Sequence, residues 1–183
     1  MIKLIFNSLA IFYLTYNYLM MKILGVDPSI RSAGWAVIKV ENNNKNIYVA
    51  SDTLYLNPAE SVATRLGKFY KKMAEIITEY LPNVVGLESI FLNKDLSSVL
   101  KLSYVRGILM SIVGQRNLDL VEVSPLQVKK SVTGRGISSK ESVKKMLDHI
   151  ISIPQGVKIR TFDESDAIAI AYSAGIIKSQ RLK

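Results

Sequence analysis

Four carboxylates occupy positions where a solvated surface charge is not expected. Asp27 ends the apolar run 22–26, and Glu88 ends a second apolar run, 83–87. Asp163 and Asp166 begin an Ala/Ile-rich segment, and on a helix their spacing of three places both on one face. Burying an unpaired charge costs several kcal/mol, and clustered carboxylates repel unless a divalent cation neutralises them. An oxygen-ligated Mg²⁺ site is therefore the economical explanation.

Each carboxylate also has an ordinary explanation. Asp163 and Asp166 could complement the dipole at a helix N-terminus, and Asp27 could be a satisfied buried or turn residue. The composition favours the metal site, because the chain has no cysteine and only one histidine, His149. Disulfide scaffolds, zinc fingers, thiol nucleophiles, iron–sulfur clusters and multi-histidine metal sites are thereby excluded. Two Mg²⁺ or Mn²⁺ ions a few ångströms apart could activate water for phosphodiester hydrolysis.

The basic residues indicate a polyanionic partner. The formal net charge is +9, which suits nucleic acid, although basic proteins without such a partner are common. Glycines in the loop 133–136 would let its backbone approach a phosphate closely, whereas a charged run could also be only a solvated face. Segment 129–145 sets six basic side chains against the single acid Glu141: Lys129, Lys130, Arg135, Lys140, Lys144 and Lys145.

The elements that must position these residues follow the order βββαβαβα. Three strands joined by tight turns predict an antiparallel meander, and later strands join in parallel through right-handed crossovers. The prediction is an α/β fold with a mixed five-stranded sheet flanked by helices. Its strands are 22–27, 34–40, 47–56, 83–87 and 118–123. Its helices run from N-cap Asn57 to Tyr80, over 97–116, from Ser124-Pro125, from a capping box at Ser138–Glu141, and from about Asp163.

Residues 1–21 differ from the rest, being mostly apolar with one charge, Lys3. A signal peptide would need a small-residue cleavage site that is absent here. A membrane anchor would be barely long enough and is interrupted by polar residues. The third interpretation, which we favour, is that the natural start is Met20 or Met21. We therefore expect 1–21 to be an apolar extension and 22–183 to be one domain.

Four blocks of this sequence resemble, in order and spacing, the RuvC-type Holliday-junction resolvases, which are crossover junction endodeoxyribonucleases. The blocks are 25–38, then 88–94 with 100–102 and 106–107, then 127–140, and finally 163–171. The resemblance covers essentially 22–175. It implies a ribonuclease H-like fold, a homodimer, and Mg²⁺-dependent paired nicking of four-way DNA junctions in recombination and repair. Ser29 departs from the pattern, because the family usually has glycine there.

The resemblance also implies roles for particular residues. Asp27, Glu88, Asp163 and Asp166 would be the metal-binding catalytic carboxylates, holding Mg²⁺ (or Mn²⁺), two ions per site. Lys129 and Lys140 would lie near the scissile phosphate, where a cation stabilises developing charge. Phe91 would stack on an unstacked base at the junction centre. The remaining basic residues of the segment would contact DNA: Lys130, Arg135, Lys144 and Lys145.

Two other function classes stay open at this point. A non-catalytic junction-binding module would not need the full carboxylate set. A phosphotransferase of the sugar-kinase or actin-like class could use 27–32 as a phosphate loop, but that fold needs two such domains. For the nuclease we expect a branch-migration helicase complex as a partner, a cytoplasmic location and no stable membrane association. The apolar helix 97–116 could form the dimer interface or simply pack in the core.

Overall fold

A six-stranded mixed sheet with five helices forms the structure, a computed structural model that describes residues 20–41, 45–90 and 96–181. The strands lie in the order β5-β4-β1-β2-β3-β6. Their bounds are β1 Met20–Asp27, β2 Ser32–Glu41, β3 Asn46–Tyr55, β4 Val84–Glu88, β5 Asp119–Val123 and β6 Ile151–Ser152. The helices are α1 Val62–Tyr80, α2 Leu96–Gln115, α3 Pro125–Thr133, α4 Lys140–Ile150 and α5 Phe162–Arg181.

The predicted sheet architecture is confirmed. Strands β1, β2 and β3 pair antiparallel, while β4 joins β1 in parallel and β5 joins β4 in parallel. The structure adds β6, a two-residue strand that pairs in parallel with β3. A strand this short has no period for sequence patterning to detect.

Alternate residues of the central strands face two different cores. Ile23 of β1 packs in the core formed with α3, α4 and α5, whereas Leu24 and Val26 pack against α1 and α2 on the opposite face. Helix α5 lies unusually close to the sheet. A Cβ built on Gly25 would stand 2.1 Å from the Ala167 carbonyl oxygen, so only glycine permits this approach.

The structure corrects two predicted helix starts. Helix α1 is capped by Ser61, whose hydroxyl accepts from the Thr64 N–H, and not by Asn57. The side chain of Asn57 instead accepts from the Ala59 N–H and forms a turn. The capping box predicted at Ser138–Glu141 is also wrong, because Ser139 caps α4 through the Ser142 N–H. In both cases a neighbouring residue offered an equally good local cap.

Two features bear on the ends of the predicted elements. Strand β1 begins two residues before its predicted start, because Met20 and Met21 pair with Glu41 and Val40 of β2. Residues 1–19 lie outside the described residues.

Within the described ranges, α2 is the one helix long and apolar enough to cross a membrane by length and composition. One face of it is nonetheless built into the core, where Val105, Leu109, Ile112 and Val113 are buried.

Candidate active site

Strand register brings Asp27 and Glu88 side by side. Val26 of β1 is paired with Leu87 of β4 in a parallel ladder, so the next residue on each strand is the carboxylate. Neighbouring strands lie about 4.8 Å apart, and paired residues share a face. Gly25 and Gly86 both face α5. Residues two apart on a strand share a face, so Asp27 and Glu88 face α5 as well. Both apolar runs thus end by delivering a carboxylate to one edge of the sheet.

The first turn of α5 brings Asp163 and Asp166 to the same edge. Gly34, paired with Asp27, makes room for α5, because a Cβ there would stand 2.0 Å from the Asp163 carbonyl oxygen. A buried carboxylate, Glu164, ties this turn to β3 by accepting from the Ser51 hydroxyl at 2.8 Å. Thr161 caps the turn through the Glu164 N–H at 3.0 Å. These contacts hold the paired aspartates against the ends of β1 and β4.

Five of the six predicted catalytic residues line one cavity of ≈ 300 Å³. They are Asp27, Glu88, Asp166, Lys129 and Lys140, and apolar side chains of α3, α4 and α5 complete the wall. The sixth, Asp163, does not line the cavity but is close enough to act electrostatically on Asp27. Lys140, at the start of α4, donates to Asp166 Oδ2 at 2.6 Å. The structure therefore brings the predicted carboxylates and lysines together.

Burial, together with the crowding of like charges, perturbs the ionisation of this site. Burial and then the neighbouring carboxylates of Glu88, Asp166 and Asp163 raise the pKa of Asp27 to about 7, against a smaller opposing effect of Lys140. Burial and Asp166 likewise raise the pKa of Glu88. The hydrogen bond to Asp166 raises the pKa of Lys140, which stays protonated. The cavity is thus an anionic site that is short of positive charge.

The donor set fits a hard divalent cation. Within 20–41, 45–90 and 96–181, no three His, Cys, Asp or Glu side chains are arranged to hold a metal ion as they stand. The ammonium of Lys140 is instead the cation beside Asp166. All the acidic donors are carboxylate oxygens, which Mg²⁺ and Mn²⁺ prefer. Burial and then the neighbouring carboxylates raise the pKa of Asp27, and a bound divalent cation would offset both effects.

The raised pKa makes Asp27 a source of pH-dependent instability. Its carboxyl ionises near pH 3.8 when unperturbed but keeps its proton to about pH 7 in the folded chain. The folded state therefore binds more protons between these values, and the stability of the apo protein falls as the pH rises through them. In chelator, Asp27→Asn should be more stable than wild type near pH 8, by on the order of 1–4 kcal/mol. Urea unfolding measures this difference, which should nearly vanish near pH 4. A difference that does not change with pH would contradict the raised pKa.

Arg106 contacts the candidate site, although the sequence analysis assigned it no role. Its side chain is only 7% exposed on α2. Its guanidinium donates through Nη1 to the Glu88 carbonyl oxygen and through Nη2 to Glu122 of β5. Arg106 thus clamps the end of β4, where Glu88 must be held. An arginine interrupting the buried apolar face of a helix is the signal that could have identified it.

Replacing Arg106 with methionine should lower the free energy of unfolding by about 1–3 kcal/mol. The change leaves the Glu88 carbonyl and the Glu122 carboxylate without their donor, and chemical denaturation measures the loss. Lys101→Met, on an exposed position of the same helix, is the matched control and should change stability by less than about 0.5 kcal/mol. Equal effects of the two variants would show that Arg106 is not a clamp.

The remaining predicted residues are distributed around the site. Ser29 closes the turn after β1, since its hydroxyl accepts from the N–H groups of Arg31 and Ser32 at 3.1 and 3.2 Å. Lys144 is engaged within the protein, where its ammonium donates to the Ile159 carbonyl and lies 5.5 Å from the Phe162 ring centroid. Phe91 lies outside the described residues. The other DNA-contact candidates are exposed: Lys130, Arg135 and Lys145.

The mixed sheet, with a cavity of carboxylates and lysines at one edge, has the layout of the ribonuclease H-like fold that the sequence motifs implied. Residues 23–174 match the family described as Crossover junction endodeoxyribonuclease RuvC. The chain is 38% identical over 159 residues to RuvC of Rickettsia prowazekii (strain Madrid E), covering 86% of this chain and 99% of that relative. The chain therefore belongs to the RuvC family of crossover junction endodeoxyribonucleases, as its sequence motifs predicted.

Solved structures confirm the fold. The Thermus thermophilus RuvC structure matches with a TM-score of 0.79 at 23% identity, covering 88% of this chain and 97% of that one. T. thermophilus RuvC in complex with Holliday junction substrate matches with a TM-score of 0.78 at 22% identity, covering 87% and 96%. At these identities the likeness establishes the ribonuclease H-like architecture of this chain.

Proposed function

We propose that this protein is a Mg²⁺-dependent endonuclease that resolves four-way DNA junctions by paired symmetric nicks during recombination and repair. The observation that carries the proposal is the single cavity lined by Asp27, Glu88, Asp166, Lys129 and Lys140. Acidic oxygen donors beside fixed ammonium groups suit hydrolysis of a phosphodiester. Membership of the RuvC family and the junction-bound T. thermophilus relative support four-way junctions as the substrate.

Each side chain has a distinct task in this proposal. Asp27, Glu88, Asp163 and Asp166 would hold Mg²⁺ or Mn²⁺, two ions per site. The bound metal would supply water activation and charge neutralisation at the phosphate. Asp27 must lose its proton to act as a ligand, and its pKa of about 7 makes this possible near neutral pH. Lys129 and Lys140 would donate charge-assisted hydrogen bonds to phosphate oxygens.

Paired nicks require two equivalent sites, and therefore a symmetric homodimer. Helix α2 offers the surface for it: Leu96, Leu100 and Tyr104, one turn apart from each other, are exposed on its outer side. The opposite face of α2 carries Arg106, which holds the end of β4. A dimer formed through α2 would thus place its interface on the side of this helix opposite the contact between Arg106 and the Glu88 carbonyl.

A charge in this surface should break the dimer. Leu100→Glu is expected to shift the sedimentation coefficient from that of a dimer to that of a monomer, because an unpaired carboxylate would be buried in the interface. Leu81→Glu, at an exposed leucine beyond the C-terminus of α1, is the matched control and should keep the sedimentation coefficient of the dimer. A Leu100→Glu protein that still sediments as a dimer would contradict this interface.

Two further parts of the proposal concern the setting of the reaction. A branch-migration helicase complex is the partner that would supply junctions, and the cytoplasm is the compartment where bacterial DNA is found. Membership of a family with relatives in the bacteria Rickettsia prowazekii and Rickettsia felis supports both.

Cleavage of a synthetic four-way junction against a linear duplex of the same arms tests the proposed function. With Mg²⁺ we expect paired nicks in the junction and little cutting of the duplex, and in chelator we expect binding without nicking. Equal cutting of both substrates would instead indicate a general nuclease. Binding without cutting in Mg²⁺ or Mn²⁺ would favour the non-catalytic junction-binding module.

A further inference from the structure

Ile137 occupies an unusual position in the loop between α3 and α4. Its side chain is 94% exposed, the highest value among the large apolar side chains that the structure describes. Burying an isoleucine stabilises a fold by about 1.5–3 kcal/mol, and this residue makes no such contribution. Its side chain is therefore free to contact a binding partner.

The loop around Ile137 is held closed by hydrogen bonds. The Thr133 hydroxyl lies 2.9 Å from both the Lys129 and the Arg135 carbonyl oxygens, and 2.8 Å from the Ser138 hydroxyl. Gly134 ends α3 in the left-handed region, with φ of 75°, which turns the chain outward. Arg135 and Ser138, on either side of Ile137, are thus both hydrogen-bonded to Thr133 at the end of α3, and the isoleucine projects from a defined turn.

This turn stands at the mouth of the catalytic cavity. Lys140, whose ammonium bonds Asp166 inside that cavity, follows Ile137 by three residues, so their Cα atoms are at most about 11 Å apart. On the other side, Gly136 rests on Leu126, since a Cβ built there would stand 2.7 Å from Leu126 Cδ1. Leu126 is itself exposed, and its neighbour Pro125 lines the cavity. Two exposed aliphatic side chains, Ile137 and Leu126, therefore border the candidate active site.

The charges around this pair select a polyanion as its partner. Segment 133–140 contains Arg135 and Lys140 and no acidic residue, and Lys129 lines the cavity beside it. Cations flanking a projecting aliphatic side chain match DNA, whose phosphates would pair with the cations while the side chain meets base edges. Apolar side chains presented in this way insert between base steps and unstack them.

We propose that Ile137 is a wedge that inserts at an unstacked base step of the junction and contributes to structure selectivity. This inference rests on the proposed function and names the surface that would read the substrate. Insertion into a continuous duplex costs a few kcal/mol of stacking. At a branch point the stack is already interrupted, so the same insertion costs less there. The wedge thus favours junctions over duplex, whereas the phosphate contacts do not.

The test compares binding of a junction and of its linear duplex in chelator, where nicking is absent. A fluorescent adenine analogue at the junction centre, quenched by stacking, reports insertion. Ile137→Ser should lower the junction-over-duplex affinity ratio by about tenfold and reduce the fluorescence rise. The dependence of duplex binding on salt should not change, because no charge is removed. Ile137→Leu should retain the wild-type behaviour.

Leu81→Ser is the matched control, because Leu81 is 68% exposed and precedes β4, at the edge of the sheet opposite the candidate site. It should bind as wild type does. If wild type prefers and nicks junctions but Ile137→Ser keeps both the affinity ratio and the fluorescence rise, the wedge is refuted and the proposed function stands. If wild type itself shows no preference for junctions, both the wedge and the proposed function are refuted.

Discussion

Replacing Asp27 with asparagine is expected to lower the rate of junction nicking by at least about a thousandfold while junction binding survives. Burial contributes most to the raised pKa of Asp27, and Glu88, Asp166 and Asp163 all raise it further, so the other three carboxylates act on this one. It is therefore the donor most central to the candidate metal site. An amide of the same shape keeps the packing but removes the charge that a divalent cation needs.

Binding should survive because it depends on other groups. Exposed Lys130 and Arg135 can neutralise phosphates without the cavity, and the substitution removes a negative charge that repels DNA. Unfolding cannot explain the lost activity, because the same variant is expected to be more stable than wild type in chelator near neutral pH. Mg²⁺ should raise the Tm of wild type but not of Asp27→Asn.

The matched control is Asp148→Asn, at an exposed aspartate near the C-terminal end of α4. Single-turnover nicking and gel-shift binding of the same four-way junction should be measured for both variants. Asp148→Asn should behave as wild type does. Normal nicking by Asp27→Asn would refute the assignment of this cavity as the active site.

The second large effect concerns the close approach of α5 to the sheet. Gly34→Ala places a Cβ 2.0 Å from a backbone oxygen, that of Asp163, which cannot move without displacing the helix. We expect a loss of about 3 kcal/mol or more in the free energy of unfolding. Nicking should fall by about a hundredfold or more in the folded fraction, because Asp163 and Asp166 move with the helix.

A graded series of alanine substitutions keeps this prediction testable even if Gly34→Ala does not fold. Gly86→Ala meets the Ala174 side chain at 2.8 Å and should cost less than a clash with backbone. Gly67→Ala, on the exposed side of α1 with nothing within 4 Å, should stabilise the protein by about 0.5–1 kcal/mol. Urea unfolding of the three variants should follow this order, and equal effects would contradict the proposed close contact.

Local sequence patterns predicted elements well and their first residues less well. The apolar runs that end at Asp27 and Glu88 are strands, and the Asp163/Asp166 pair opens a helix, as expected. Ser124 caps α3 with the predicted Pro125 behind it. At α1, however, both Asn57 and Ser61 are good caps, and a local pattern cannot choose between them. The folded chain begins the helix after Ser61, which is the cap that the structure uses.

The sequence by itself determined the class of chemistry, the family and the order of the elements. A chain with no cysteine and one histidine has almost only oxygen donors for a catalytic metal, and the four motif blocks lie on contiguous segments that carry their own pattern. Tertiary structure alone decided the rest. Three kinds of contact join residues that are far apart in the chain. They are the ion pair between Lys140 and Asp166, the hydrogen bond from Arg106 to the Glu88 carbonyl, and the close approach of α5 to Gly25 and Gly34. Contacts of this kind depend on strand register and helix distance, which no local pattern records, because they are set when distant segments pack against one another.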